Sequence, residues 1–225
     1  MRFLLPRCII FDLDGTILDS LPGIEYSVNS AFAFRNLQIP QRSLRELIGP
    51  PIRTILSEAG NITDTQVLTS LEKAFRANYD HEGWRKTVCF PFAARVLRIL
   101  HREGSFQLFV VTNKPRHISL QILEAEGILC LFKAIVTRDS RSPSHSGKQE
   151  MLKELMNGNR AKRDDCILVG DTIEDAEAAA EVGIKFAYVA HGYGEVSEHA
   201  EVSVDLRLDD FQQFLSLIKE ELVHD

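Results

Sequence analysis

Short, uninterrupted apolar runs constrain the fold of this chain more than any other feature. Strands with one face in water alternate apolar and polar residues, whereas a parallel sheet covered by helices on both faces requires continuous apolar runs. Helical periodicity separates the runs, for example over residues 92–102 and over Ile173–Val182, which stops at Gly183. The pattern predicts an α/β fold with a doubly wound, Rossmann-like parallel sheet. The predicted strands are residues 8–11, 106–111, 134–136, 166–169 and 186–190.

The alternation of strand and helix is interrupted after the first predicted strand. Residues 19–89 contain no convincing strand run, and proline and glycine residues divide them into several helical stretches. The predicted helices in this segment are residues 21–36, 41–47, 51–58 and 64–80. We therefore expect a catalytic core formed by residues 1–18 and 90–225, with residues 19–89 inserted as an α-helical cap domain.

Composition excludes several classes of partner. The 225 residues include 26 Lys and Arg against 32 Asp and Glu, a formal net charge of −6, which argues against a general nucleic-acid binder. No apolar run is long enough for a membrane helix, and Arg7 interrupts the apolar N-terminal stretch before any signal-peptide cleavage site. Four widely spaced cysteines without a Cys-x-x-Cys pair indicate reduced thiols. These features predict a cytoplasmic protein with no membrane partner, and they carry no signal of oligomeric state.

Two acidic residues follow the first predicted strand. Asp12 and Asp14 are two positions apart, so their side chains project to the same side, and Gly15 permits a sharp turn beside them. Ligands of parallel α/β sheets bind outside the carboxyl ends of the strands, which is where both acids lie. A turn or an N-cap would explain one acid, but a pair on one side suits a nucleophile with a general acid, or a cation site.

A second acidic segment follows the strand predicted at residues 166–169. Thr172 and Asp175 have the spacing of a helix capping box, which accounts for Thr172 and partly for Asp175. Capping leaves Asp171 unexplained, because Asp171 occupies the tip of its strand as Asp12 does. Since Mg²⁺ prefers carboxylate oxygens, we expect Asp12 and Asp171 together to bind a magnesium ion.

Two further segments offer groups that suit a phosphate. Thr112 and Asn113 end an apolar strand before a proline-led helix, where a hydroxyl and backbone N–H groups could bind phosphate oxygens. Both residue types are also common helix caps. Lys148 opens a later helix, and Lys114 is a rival for the same electrostatic task, so the choice between the two lysines stays open.

Together, in this order, the four segments resemble the motifs of the haloacid dehalogenase superfamily. The matching residues are Phe-Asp-Leu-Asp-Gly-Thr at 11–16, Thr-Asn at 112–113, Lys148, and Gly-Asp-Thr-Ile-Glu-Asp at 170–175. The sequences Asp-Ser at 19–20, Ile-Gly-Pro-Pro at 48–51 and His-Gly-Tyr-Gly at 191–194 resemble the phosphoglycolate-phosphatase-like branch. The resemblance covers nearly the whole chain, including the helical cap.

This resemblance implies Mg²⁺-dependent hydrolysis of a small phosphorylated metabolite through an aspartyl-phosphate, with phosphoglycolate as the leading substrate. Asp12 would be the nucleophile and a metal ligand, and Asp14 the general acid and base that also reaches the metal through its carbonyl. Thr112 and Asn113 would bind the phosphate, and Lys148 would stabilise the charge on Asp12 and on the transferring group. Asp171 would bind Mg²⁺ directly, and Asp175 would orient a metal-bound water or Lys148.

Two alternatives to a phosphatase remain. A sugar-phosphate mutase of the same superfamily also keeps Asp12 and Asp14, and it would require a bisphosphate activator. A signalling receiver module also combines acidic residues, threonine and lysine on a parallel sheet, but it lacks a helical insert like that of residues 19–89. One departure from the family pattern concerns the third motif, because Gln149 follows Lys148 where the family commonly has proline.

Overall fold

A computed structural model describes residues 5–41, 43–197 and 202–222 of the chain, with side chains described as far as Ile218. The remaining parts of the predicted core, residues 1–4, 198–201 and 223–225, and Arg42 of the predicted cap lie outside the described residues. In chain order the elements are β1 (Cys8–Phe11), β2 (Leu18–Asp19), α1 (Leu21–Phe34), α2 (Ile52–Gly60), α3 (Thr65–Tyr79), β3 (Val88–Cys89), α4 (Ala93–Arg102), β4 (Gln107–Thr112), α5 (Arg116–Ala125), β5 (Ala134–Thr137), α6 (Lys148–Asn159), β6 (Cys166–Gly170), α7 (Ile173–Val182), β7 (Lys185–Val189), β8 (Leu206–Leu208) and α8 (Phe211–Leu222).

A six-stranded parallel sheet forms the centre of the molecule, in the order β5-β4-β1-β6-β7-β8. All residues of β1 and β6 are buried, because helices cover both faces of the sheet, and this explains their continuous apolar sequence. The predicted α/β fold class is confirmed. Phe11 is in register with Val110 of β4 and Val169 of β6, so these three strands end side by side.

Helix α7 shows how the local sequence sets an element's bounds. The Thr172 side chain accepts a hydrogen bond from the Asp175 N–H, and the Asp175 carboxylate accepts one from the Thr172 N–H, which completes the predicted capping box. At the other end Gly183 takes the left-handed conformation with φ of 76°. The predicted bounds of this helix, Ile173–Val182, are those observed.

Helices α1, α2 and α3 lie in the segment between β2 and β3. The two short strands are antiparallel neighbours, with Leu18 opposite Cys89 and Asp19 opposite Val88, so both ends of the helical segment meet. The prediction of a helix over residues 41–47 is wrong for the described residues, where only Arg45–Leu47 forms a 3₁₀ turn. Here the Ser43 hydroxyl accepts a hydrogen bond from the Arg45 N–H at 3.3 Å, which competes with helical pairing.

Two elements after β7 were absent from the sequence prediction. Strand β8 adds a sixth strand at the edge of the sheet, and helix α8 packs its apolar residues Phe211, Phe214 and Ile218 into the core. Those residues recur at i, i+3 and i+7, a helical spacing that was available in the sequence. None of the described helices combines the length and the apolar character that crossing a membrane would require.

Candidate active site

The predicted site residues converge where β1, β4 and β6 end. Asp12 directly follows β1, and its N–H donates to the Val169 carbonyl of β6 at 3.0 Å. A cleft of about 270 Å³ opens at this edge of the sheet. Asp12, Asp14, Thr112, Asn113 and Lys114 line one side, and residues of the helical segment, including Ile48, Ile52, Phe75, Arg76 and Tyr79, line the other.

Three carboxylates form a buried cluster beside this cleft. One oxygen atom each of Asp12, Asp171 and Asp175 lies within 4.8 Å of the other two, and all three residues are buried. Burial and the neighbouring acids together raise the pKa of Asp12 to about 7, although the Lys148 ammonium opposes them. Burial and the nearby Asp175 likewise raise the pKa of Asp171 to about 6. A cation at this point would relieve the repulsion.

Backbone and hydroxyl groups hold the Asp171 carboxylate in place. Its Oδ1 accepts a hydrogen bond from the Thr16 hydroxyl at 2.9 Å, and its Oδ2 accepts bonds from the N–H groups of Tyr193 at 2.8 Å and Gly194 at 3.3 Å. Gly15, at φ of +83°, lies so close that a Cβ there would be 2.2 Å from Oδ2. Glycine at this turn is therefore required both by the backbone conformation and by the approach of Asp171.

Lys148 bridges the nucleophile candidate and Asp175. Its Nζ lies 3.0 Å from Asp12 Oδ2 and 2.5 Å from Asp175 Oδ1. Burial alone would lower the pKa of Lys148, but the carboxylates of Asp12 and Asp175 outweigh it and raise the pKa above its ordinary value. Because Asp175 Oδ2 accepts from the N–H and hydroxyl of Thr172, protein donors engage both oxygens of Asp175. Asp175 is thus placed to cap α7 and to orient Lys148 at once.

Lys114 contacts the other carboxylate of the pair. Its Nζ is 2.8 Å from Asp14 Oδ1 and 2.8 Å from the Tyr79 hydroxyl of the helical segment. Burial opposes the charge, yet Asp14 and Tyr79 raise the pKa of Lys114 above its ordinary value. The sequence set Lys114 and Lys148 as rivals for one task, whereas the structure places both at the site, with different carboxylate partners.

Thr112 and Asn113 both line the cleft but differ in their contacts. The Thr112 hydroxyl accepts a hydrogen bond from the Lys114 N–H at 3.3 Å. The Asn113 Nδ2 donates to the Gly49 carbonyl at 3.2 Å and to the Glu174 carboxylate at 3.1 Å. The side-chain amide of Asn113 therefore joins the helical segment to the start of α7, and its N–H groups are already engaged by these protein acceptors.

The donor set fits a magnesium ion. Asp12 Oδ1 is buried and has no hydrogen-bond partner within the described part of the chain. An unpaired buried oxygen is energetically unfavourable, and a bound cation would give it a partner. Mg²⁺ prefers a few carboxylate oxygens together with water and phosphate. Asp12 and Asp171 offer carboxylate oxygens at one point, and Asp175 lies within the same cluster.

Some residues at the site escaped the sequence interpretation. Tyr79 stacks on Phe75, and its hydroxyl also accepts a hydrogen bond from Lys114. Arg76 and Arg138 line the cleft without any local pattern that would have identified them. Tyr193 belongs to the His-Gly-Tyr-Gly sequence at 191–194, so a signal was present without an assigned role.

The chain resembles known proteins over most of its length. The family model described as haloacid dehalogenase-like hydrolase matches residues 9–189. The chain is 33% identical to a phosphoglycolate phosphatase of Cereibacter sphaeroides over 85% of its own length and 88% of that protein. It is 30% identical to a phosphoglycolate phosphatase of Pasteurella multocida over 95% of its length and 98% of that protein.

Solved structures show the same fold. A predicted phosphatase from Clostridium acetobutylicum superposes with a TM-score of 0.83 at 28% identity, covering 96% of this chain and 100% of that one. The family model spans all four motif segments as well as the helical segment. The chain therefore belongs to the haloacid dehalogenase-like hydrolase family.

Proposed function

We propose that this protein is a Mg²⁺-dependent phosphatase that hydrolyses a small phosphorylated metabolite through an aspartyl-phosphate, with phosphoglycolate as the best candidate. One observation carries the proposal: the two carboxylates that follow β1 share a cleft, and each has its own buried lysine. Asp12 is paired with Lys148, and Asp14 with Lys114. This arrangement supports separate roles for the two acids, a nucleophile and a proton carrier.

The proposed reaction gives each of these residues a defined role. Asp12 attacks phosphorus, and the leaving alcohol takes its proton from Asp14. Asp14 then removes a proton from the water that hydrolyses the aspartyl-phosphate. Lys148 balances charge on Asp12, and the Thr112 hydroxyl with neighbouring N–H groups binds phosphate oxygens. Asp12, the Asp14 carbonyl, Asp171 and, through water, Asp175 would hold Mg²⁺, which supplies positive charge to the phosphate oxygens when bound.

Cations of the cleft beyond the phosphate site support a substrate with a second acidic group. Arg76 and Arg138 line the cleft, and neither forms an ion pair with another described residue. The acids beside them are engaged elsewhere, since Glu72 pairs with Arg53 at 3.4 Å and Asp139 accepts a backbone N–H. A carboxylate on the substrate would complement these guanidinium groups. Phosphoglycolate has one, and two similar proteins carry its name.

The helical segment is part of the same proposal. Residues 19–89 would form the cap and residues 1–18 and 90–225 the core, with the paired strands β2 and β3 at their boundary. Since Ile48, Phe75 and Tyr79 of this segment line the cleft, the cap would contact the part of the substrate that is not transferred. This division supports a core that performs the chemistry and a cap that selects the substrate.

A metabolite panel tests the proposal. Purified protein with Mg²⁺ should release inorganic phosphate from phosphoglycolate faster than from sugar phosphates, nucleotides or pyrophosphate, and a chelator should abolish the release. Asp12→Asn should lower the rate at least about 10³-fold, while Asp164→Asn, an exposed acid away from the cleft, should change nothing. Undiminished hydrolysis by Asp12→Asn would show that Asp12 is not the nucleophile. Dependence on a bisphosphate activator with little phosphate release would identify the mutase instead.

A further inference from the structure

The turn after β7, residues 191–194, contacts Asp171, which directly follows β6. It also contacts residues 19–21, where the chain passes from β2 into α1. We propose that Tyr193 is a positioning residue that couples the Asp171 carboxylate to the start of α1, so that Mg²⁺ binding and the placement of the helical segment depend on each other. This inference rests on the proposed function, because it takes Asp171 to be a Mg²⁺ ligand.

The backbone of the turn forms the first half of the coupling. The N–H groups of Tyr193 and Gly194 both donate to Asp171 Oδ2, at 2.8 and 3.3 Å. The turn also packs directly against this side chain, since a Cβ on Gly192 would lie 2.2 Å from the Asp171 Cβ. A displacement of the Asp171 carboxylate would therefore have to be shared by the turn.

The phenol group of Tyr193 forms the second half. Its oxygen accepts hydrogen bonds from the N–H groups of Ser20 at 2.7 Å and Leu21 at 2.9 Å, and its hydroxyl donates to Asp19 Oδ1 at 2.8 Å. A phenol offers one donor and two acceptor positions, so all are used. These three partners form the step from β2 to α1.

The phenol takes the place of a local helix cap. Ser20 occupies the N-cap position of α1, yet its side chain makes no capping hydrogen bond. A helix start needs acceptors for its first N–H groups, and a serine hydroxyl ordinarily supplies one. Because Tyr193 supplies this acceptor from a distant part of the chain, the start of α1 depends on the turn that holds Asp171.

The ring of Tyr193 also contacts a residue beside β3 and a residue within the helical segment. The Phe90 ring, which follows β3, lies 6.2 Å from it, and the Arg45 guanidinium of the helical segment lies 5.3 Å from its centroid. Arg45 also donates to the His191 carbonyl at 3.1 Å. The turn thus contacts Asp19 of β2, Phe90 directly after β3, and Arg45 of the helical segment. These contacts form a contiguous path for coupling, and such coupling is reciprocal.

The test compares Tyr193→Phe with Tyr188→Phe in the full chain. Tyr188 is a matched control, because its hydroxyl bonds the Gly194 carbonyl of the same turn at 3.2 Å without reaching α1. Mg²⁺ alone is titrated by calorimetry, and hydrogen exchange of residues 18–24 is followed with and without Mg²⁺. In wild type and Tyr188→Phe, Mg²⁺ should slow this exchange. Tyr193→Phe should lose that protection and bind Mg²⁺ about 10-fold more weakly.

Four results would overturn the proposal. The first is wild-type Mg²⁺ affinity with wild-type protection in Tyr193→Phe, and the second is an equal loss in Tyr188→Phe. The third is a wild-type protein that does not bind Mg²⁺, which would also remove the metal from the proposed function. The fourth is Mg²⁺ binding in wild type without protection of residues 18–24, which would overturn the coupling but leave Mg²⁺ in the proposed function.

Should Tyr193→Phe not fold, Asp19→Ala removes only the acceptor of the phenol proton and leaves both N–H contacts. The same loss of Mg²⁺-dependent protection, smaller in size, is expected. Unchanged protection in a folded Asp19→Ala protein would count against the proposal. Assays of the folded variants should show a reduced rate at limiting Mg²⁺ that saturating Mg²⁺ restores, a recovery that general destabilisation would not produce.

Discussion

Lys148 is a buried cation with two buried carboxylate neighbours, Asp12 and Asp175. A buried charge is tolerated when its partners are close, and removing one partner leaves the others uncompensated. Lys148 therefore contributes to stability as well as to the proposed reaction. Its position on α6 also provides an internal comparison, because Lys153 on the same helix forms an exposed pair with Glu181.

We expect Lys148→Met to lower the free energy of unfolding by about 3–5 kcal/mol and the rate of phosphate release by about 10²–10³-fold. Asp12, Asp171 and Asp175 would then repel each other without a cation. Lys153→Met should cost less than about 1 kcal/mol, because its pair is half exposed. Urea unfolding and initial rates measure both effects. Equal stability losses in the two variants would show that the buried pairs contribute no more than a surface pair.

Helix α4 begins with a strained residue. Phe92, at its N-cap, has φ of 65°, in the left-handed region that L-residues other than asparagine and aspartate rarely occupy. The side chain is 41% exposed, so burial offsets little of this strain. The sequence predicted a helix start at Phe92, and the backbone turns there instead, which moves the first helical residue to Ala93.

Phe92→Gly and Phe92→Ala separate the strain from the side chain. Both variants remove the ring, but alanine keeps the Cβ that clashes in the left-handed region and glycine does not. We expect the glycine variant to be the more stable by about 1 kcal/mol, as measured by thermal or urea unfolding. If the alanine variant matches or exceeds it, Phe92 is not strained in the folded protein.

The sequence predicts elements well where local signals agree. The apolar runs identified five of the six sheet strands, and the capping box and Gly183 bounded α7 at Ile173–Val182. Strands β2 and β3 could not be predicted, because each has two residues and depends on a partner about seventy positions away. Helix α8 was predictable from its helical spacing, whereas the 3₁₀ turn at Arg45–Leu47 depends on competition from one serine hydroxyl.

Among the site residues, too, positions set by local sequence were predictable and contacts set by distant parts of the chain were not. The convergence of Asp12 and Asp171 was predictable because each directly follows a buried strand, and parallel strands end at one edge; Asp14 lies two residues after Asp12. The partners of the two lysines were not predictable, because they depend on tertiary contacts. Lys114 meets the Tyr79 hydroxyl only because the helical segment lies across the strand ends.

At the scale of the whole molecule, one hydrophobic cluster joins the sheet to the helical segment. It includes Ile9 and Phe11 of β1, and it continues through Leu13 and Ile17 to Leu56 of α2. A separate unit would have its own apolar core. The continuity of this cluster indicates that the helical segment and the sheet stabilise each other.

Trp84 makes this continuity measurable. It is the one tryptophan of the sequence, it lies in the helical segment, and it is 9% exposed. We expect urea unfolding monitored by tryptophan fluorescence and by far-ultraviolet circular dichroism to give the same midpoint, because one shared core unfolds cooperatively. Mg²⁺ should move both midpoints together. A fluorescence transition that precedes the dichroism transition would show that the helical segment unfolds by itself.

The pairing of β2 with β3 has an evolutionary consequence. Since Leu18 faces Cys89 and Asp19 faces Val88, the segment between them is attached as a hairpin loop would be, at two adjacent points. Lengthening such a loop adds little to the entropy of closure. If residues 19–89 contact the substrate as proposed, recombination at these two points would exchange that contact surface without shifting the register of the strands that precede Asp12 and Asp171. Substrate preference could then change while the residues proposed for phosphate chemistry stayed the same.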